Sequence, residues 1–151
     1  FDDVDYQRSI SVNLTLKQSD DIKSSKNFRY FMNRLNRKVF KSQSTNKKNR
    51  IGKRLNVIPF IGKKPRTGNF TNHHYHCIFE IPEELLDRED HRDYFSKIIT
   101  DCWKKVPLSN RVMEINKTIN SGWTKYMCEV YKPNFKSSHT PDYLNYHWKK
   151  N

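Results

Sequence analysis

The chain has 151 residues, 34% hydrophobic and 30% charged, enough for one modest core and consistent with a single domain over residues 1–151. No apolar run approaches the length of a membrane span, and no signal-peptide pattern is present. Lys and Arg outnumber Asp and Glu by 29 to 16, giving a formal net charge of +13, a field that draws polyanions and above all nucleic acid.

Eight tyrosines, nine phenylalanines and three tryptophans argue against disorder, because disordered chains are poor in aromatic residues. The chain begins at Phe1 rather than a methionine, as expected of a piece excised from a longer protein. Cys77, Cys102 and Cys128 are odd in number and widely spaced, with no CxxC pair, so neither a disulfide framework nor a zinc knuckle is expected. They read as reduced thiols, mostly buried, in a cytoplasmic protein.

In chain order, Ser9 to Leu16 alternates. Ile10, Val12, Leu14 and Leu16 share one side, with Ser11, Asn13 and Thr15 on the other, the pattern of a half-buried strand with a polar face. Ser19, Asp20 and Asp21 break it. From Asn27 to Phe40 the spacing of Phe28, Phe31, Met32, Leu35 and Val39 predicts an amphipathic helix, with Arg29, Arg34, Arg37 and Lys38 on its outer side. Lys41 to Arg54 carries Lys47, Lys48, Arg50, Lys53 and Arg54 without apolar period, and reads as a basic arm suited to DNA. Leu55 to Ile61 predicts a second strand, placed at an edge or bulge by Pro59. Gly62 to Asn72 reads as the turn-rich connection of a hairpin.

His73 to Ile81 is a third strand, stopped by Pro82, with His74, His76, Ile78 and Glu80 on one face and Tyr75, Cys77, Phe79 and Ile81 on the other. Tyr94 to Lys105 predicts a helix with the stripe Phe95, Ile98, Ile99 and Cys102, which Val106 extends. Val112 to Ile119 predicts a fourth strand. Ser121 can cap a last helix running through Trp123, Tyr126, Met127 and Val130 to Pro133. The aromatic, basic tail beyond it has no pattern. The order strand, helix, strand, strand, helix, strand, helix predicts an α+β chain: a ferredoxin-like antiparallel sheet with two helices on one face. The other face is left for the last helix and a ligand.

The chemistry is expected on that second face. Strand residues i and i+2 project to the same side, so His74 and His76 point to one spot, where two neutral imidazoles can hold a divalent cation. A His-X-His pair alone is a weak signal, often a surface accident; here a polar neighbouring strand and a strongly basic chain strengthen it. His73 points away by strand parity. Tyr126 lies near the centre of the stripe formed by Trp123, Met127 and Val130, facing the sheet. By itself it reads as a core tyrosine, but with the helix laid over the histidines its hydroxyl would be aimed at the metal. A phenol with a pKa of about 10 needs such help to act as a nucleophile.

With SVNLTL (Ser11 to Leu16), HYHCIFE (His74 to Glu80) and GWTKYMCEVY (Gly122 to Tyr131) in this order, the chain resembles the HUH endonucleases. The likeness is to the replication initiators of rolling-circle plasmids, phages and small single-stranded DNA elements, and covers about Ser9 to Pro133. The resemblance implies that His74 and His76 hold Mg²⁺ or Mn²⁺ at the scissile phosphate. It implies that Tyr126 attacks phosphorus, expels a 3′-hydroxyl and forms a 5′-phosphotyrosine from which strands are later rejoined without ATP. The implied partner is single-stranded DNA at an origin hairpin or loop, with a helicase domain or host helicase, in the cytoplasm of a prokaryotic cell.

Two features depart from the family pattern. The strand before the histidines supplies no acidic third ligand, and Glu129 stands where single-tyrosine initiators commonly have a lysine. Glu129 is expected to complete the metal site, with the lysine's role passing to Lys125 or Lys132; Glu80 and a water are the alternatives. Ser11, Asn13, Thr15, Arg34 and the basic arm are expected to contact DNA. Tyr131 reads as packing. Two rivals stand beside this reading. One is a non-catalytic binding module of the RNA-recognition type, which would put aromatic residues where Ser11, Asn13, His74 and His76 stand. The other is a transposase or relaxase on the same fold.

Overall fold

The structure, a computed structural model, describes residues 4–17, 20–44, 52–65, 71–107, 109–122, 138–142 and 145–149. Its elements are β1 (Ser9–Leu16), α1 (Asp21–Phe40), β2 (Val57–Pro65), β3 (Thr71–Glu80), α2 (His91–Trp103), β4 (Ser109–Asn116) and β5 (Ser138–Pro141). The strands form one antiparallel five-stranded sheet in the order β4-β1-β3-β2-β5. The chain is α+β, as its element order predicts. None of the described helices is long and apolar enough to cross a membrane.

Alternation decides which side of the sheet is covered. Ile10, Val12, Leu14 and Leu16 of β1 and Tyr75, Cys77 and Phe79 of β3 all lie in one core, together with Phe28, Phe31 and Leu35 of α1 and Phe95 and Ile99 of α2. Ring contacts fasten the layers. Phe28 stacks on Tyr75 at 4.2 Å, and Phe79 meets Phe31 and Phe95 edge-on at 6.4 and 6.0 Å. Such pairs add about 0.5–1.5 kcal/mol each beyond the area they bury. Cys77 and Cys102 are buried free thiols, as expected, and burial raises both pKa values. Cys128 lies outside the described residues.

α1 starts six residues before the apolar period does. Asp20 caps it, its side chain accepting from the Lys23 amide at 2.7 Å. The first turn carries no apolar stripe: Ile22 there is 70% exposed. β2 runs on to Pro65, into the stretch expected to be a turn, and β4 is shifted three residues toward the N-terminus of its expected span. Pro59 is not at an edge, because β5 pairs with the outer side of β2. Its carbonyl accepts from Asp142 on that outer side at 3.0 Å, so its missing N–H also faces outward, just beyond the β5 ladder, and no bond to β3 is lost.

The tail after β5 is tied down by a buried carboxylate. Asp142 accepts from the Tyr75 hydroxyl at 2.7 Å, from Asn145 Nδ2 at 2.6 Å and from the Ser25 hydroxyl at 3.2 Å. Three donors satisfy a charge that burial alone would make costly. Among the described residues, this cluster connects α1, β3 and the tail.

Candidate metal and nucleic-acid site

The face of the sheet away from the helices has two halves. Toward the start of β2 it is apolar: Ile58, Phe60 and Ile78 pack with Val4, and Tyr6, Ile119 and Trp148 lie against them. Toward the end of β1 it is polar. There Asn13 pairs with His76 and Thr15 with His74, on the shared face that strand parity predicts. On the other flank His76 is in register with Phe60 and His74 with Gly62, which adds no side chain to its row. Ser11, in register with Ile78, is buried at the boundary between the halves.

The two imidazoles are neighbours, with ring centroids 4.8 Å apart and planes at 89°. His74 is 7% exposed and His76 is half-buried. The Asn13 side-chain oxygen lies 2.6 Å from His76 Nδ1. An amide oxygen carries no hydrogen, so the ring nitrogen donates, and the His76 lone pair is placed at Nε2. A second partner that fixes the tautomer and ring plane is the usual companion of a metal-binding histidine. His73 points the other way, its Nδ1 2.7 Å from the Ser24 hydroxyl within the helix layer.

Tyr75 lies between the histidines in sequence but belongs to the opposite face. Burial pushes its phenol pKa far up, and the Asp142 carboxylate pushes it further, so it stays a protonated donor. It is no nucleophile for this site.

Among the described residues, no three His, Cys, Asp or Glu side chains come together to hold a metal. Glu80 lies four residues along β3 from His76, about 13 Å away, and accepts from Asn56 at 3.3 Å. The β1–β4 register sets exposed Glu114 across Asn13 from His76, two strand spacings or about 10 Å away. That carboxylate went unnoticed in sequence, because nothing in the sequence says which residue of β4 faces Asn13. Lys125, Tyr126, Glu129 and Lys132 lie outside the described residues, as do Lys47, Lys48 and Arg50.

The remaining expected DNA contacts are scattered. Arg34 belongs to the helix layer, behind the sheet as seen from the histidines, where it donates to the Tyr30 hydroxyl at 3.1 Å. Lys53 pairs with Glu84 at 3.0 Å, and Arg54 shares a pocket with Glu80 and Lys149, at the end of the sheet where β3 leaves. The base of the basic arm is pinned there. The Lys53 amide donates to the Gln43 carbonyl at 2.8 Å, and a Cβ on Gly52 would come within 2.6 Å of the Ser44 carbonyl oxygen. The structure therefore brings Ser11, Asn13 and Thr15 onto the histidine face, and places Arg34, Lys53 and Arg54 elsewhere. Compared with protein-family models, curated proteins and solved structures, the chain matches none of them.

Proposed function

We propose that this chain nicks and rejoins single-stranded DNA at a replication origin, with His74 and His76 holding a divalent cation and Tyr126 as the nucleophile. The observation that carries the reading is the pair of adjacent imidazoles on the polar half of the sheet, one of them oriented by Asn13. Two nitrogens from one strand, with a tautomer set by a neighbouring amide, suit a divalent cation; the resemblance makes it Mg²⁺ or Mn²⁺, with a third ligand from Glu129 or water. The strand order β4-β1-β3-β2, with α1 following β1 and α2 following β3, is consistent with the ferredoxin-like arrangement expected of an HUH endonuclease and supports the reading. The net charge of +13 suits a polyphosphate substrate.

When bound, the cation supplies Lewis-acid polarisation of the scissile phosphate. His74 and His76 bind it, and Asn13 keeps His76 turned toward it. The role of Tyr126 rests on the resemblance of the segment GWTKYM. Its oxygen forms a bond to phosphorus as the bond to the 3′ oxygen breaks. The phenolic proton ends on the departing 3′-hydroxyl, and the 5′ phosphate remains esterified to the tyrosine. Lys125 or Lys132 would offset charge developing on the phosphate.

The test is a pool of labelled single-stranded oligonucleotides incubated with Mn²⁺ and run on a denaturing protein gel. A covalent adduct that needs manganese and disappears in Tyr126→Phe and in His74→Ala/His76→Ala is expected. Tight binding without any adduct from a broad sequence library would overturn the nickase reading in favour of a binding module.

A further inference from the structure

A second basic surface lies on the helix layer, behind the sheet as seen from the histidines. Arg34, Arg37 and Lys38 from the last turns of α1, and Lys104 and Lys105 just after α2, line a groove of about 620 Å³ together with Asp101. Its floor is the buried pair Ile98 and Cys102. Beneath it the helices are locked by Phe31 against Trp103, edge-on at 5.2 Å, so the two halves of the groove are held in fixed register. Among the described residues, none of the five cations is in an ion pair.

Basic residues at helix C-termini have an ordinary use, which is to offset the helix dipole. Each helix end carries about half a negative charge. Asp101 offsets one of the five cations and the two helix ends together about one more, which leaves an excess of about three positive charges. Dipole compensation does not account for that excess. No aromatic ring lines the groove, and Tyr30 beside it is already engaged by Arg34, whose guanidinium lies 5.6 Å from the ring centroid. Charge without stacking surface is the signature of contact with a phosphate backbone rather than with bases.

We propose that this groove binds the phosphate backbone of the DNA flanking the segment at His74 and His76. The strand then engages both the sheet face and the helix layer, and the second contact is indifferent to sequence. The inference deepens the nickase reading, since the strand held is the one proposed to be cut.

The experiment is fluorescence anisotropy of two labelled single strands, one of about 8 and one of about 40 nucleotides, across a salt series. The proteins are wild type, Arg37→Ala/Lys104→Ala/Lys105→Ala, and a control with equal charge loss outside the groove, Lys17→Ala/Lys23→Ala/Lys26→Ala. Circular dichroism checks that each is folded. Loss of three phosphate contacts should lower the salt slope for the long strand by about 2 and weaken binding roughly tenfold or more at physiological salt. The short strand and the control should stay near wild type. An unchanged slope and affinity for the long strand overturns the proposal, and so does a control that loses as much as the groove variant. Binding is read without cleavage, so a wild type that never forms an adduct would sink the nickase reading and leave the groove standing.

Discussion

On the helix side of β3, Tyr75, Cys77 and Phe79 are fully buried among rings from α1 and α2. On the other side, one residue out of step, His74 and His76 sit beside Asn13 and Thr15. The first side is held by dispersion and by a phenol donating to a buried carboxylate. The second has lone pairs and an orienting amide. One strand thus serves stability and chemistry in alternation. Its stabilising side can be rigid because its polar side is not asked to hold the sheet together.

The largest way to break that contrast is Tyr75→Ala. It removes the stack on Phe28 and a donor to Asp142, and should cost about 4 kcal/mol in urea denaturation. His76→Ala, next in sequence, should cost less than about 1 kcal/mol. Equal losses would erase the distinction between the faces. Asn13→Ala should weaken Mn²⁺ binding roughly 10- to 100-fold with little change in stability, and Asn13→Asp should restore it. Titration calorimetry giving wild-type affinity for Asn13→Ala would remove Asn13 from the site. Tyr75→Phe keeps the ring and deletes only the hydroxyl, so the stability lost should be about 1–3 kcal/mol, with metal affinity unchanged.

The smallest effect concerns pH. Burial, reinforced by Arg54 and Lys149, holds the His147 pKa below its usual 6.5. The folded state resists protonation there, while the unfolded chain accepts the proton at the ordinary pKa. Stability from this group is therefore complete above about pH 6.5 and is lost as pH falls from there through the folded pKa. A urea midpoint that drops between neutral and mildly acid pH, by less in His147→Gln than in wild type, is the expected result. An identical drop in both proteins would assign the effect to other groups.

Much of this was legible in the sequence where periodicity speaks. The alternation of Ile10, Val12, Leu14 and Leu16 and the parity of His74 against Tyr75 both follow from a period of two, which sterics impose on any strand. Periodicity was silent over the first turn of α1, where polar residues leave only a cap as signal, and over β5, whose four residues carry no alternation. Pairing partners are long-range facts. That Asn13 stands beside His76, that Glu114 stands across from Asn13, and that Asp142 reaches back to Tyr75 depend on which strands adjoin, and one sequence does not encode that locally. The groove between α1 and α2 is a long-range fact of the same kind, since Arg37 and Lys105 meet through the packing of the two helices, Phe31 on Trp103 included.

The shared strand has a consequence for misfolded copies of this chain. A slip of one residue between β1 and β3 would turn both imidazoles inward and put Tyr75, Cys77 and Phe79 outside. The whole apolar set of the strand opposes that slip, so the histidine pair cannot be turned to the wrong face while the rest of the fold is right. Assembly of the pair is all or nothing. If the chain cuts DNA as proposed, a misregistered copy is an inert protein rather than a careless nuclease, and the core acts as the proofreader of the site.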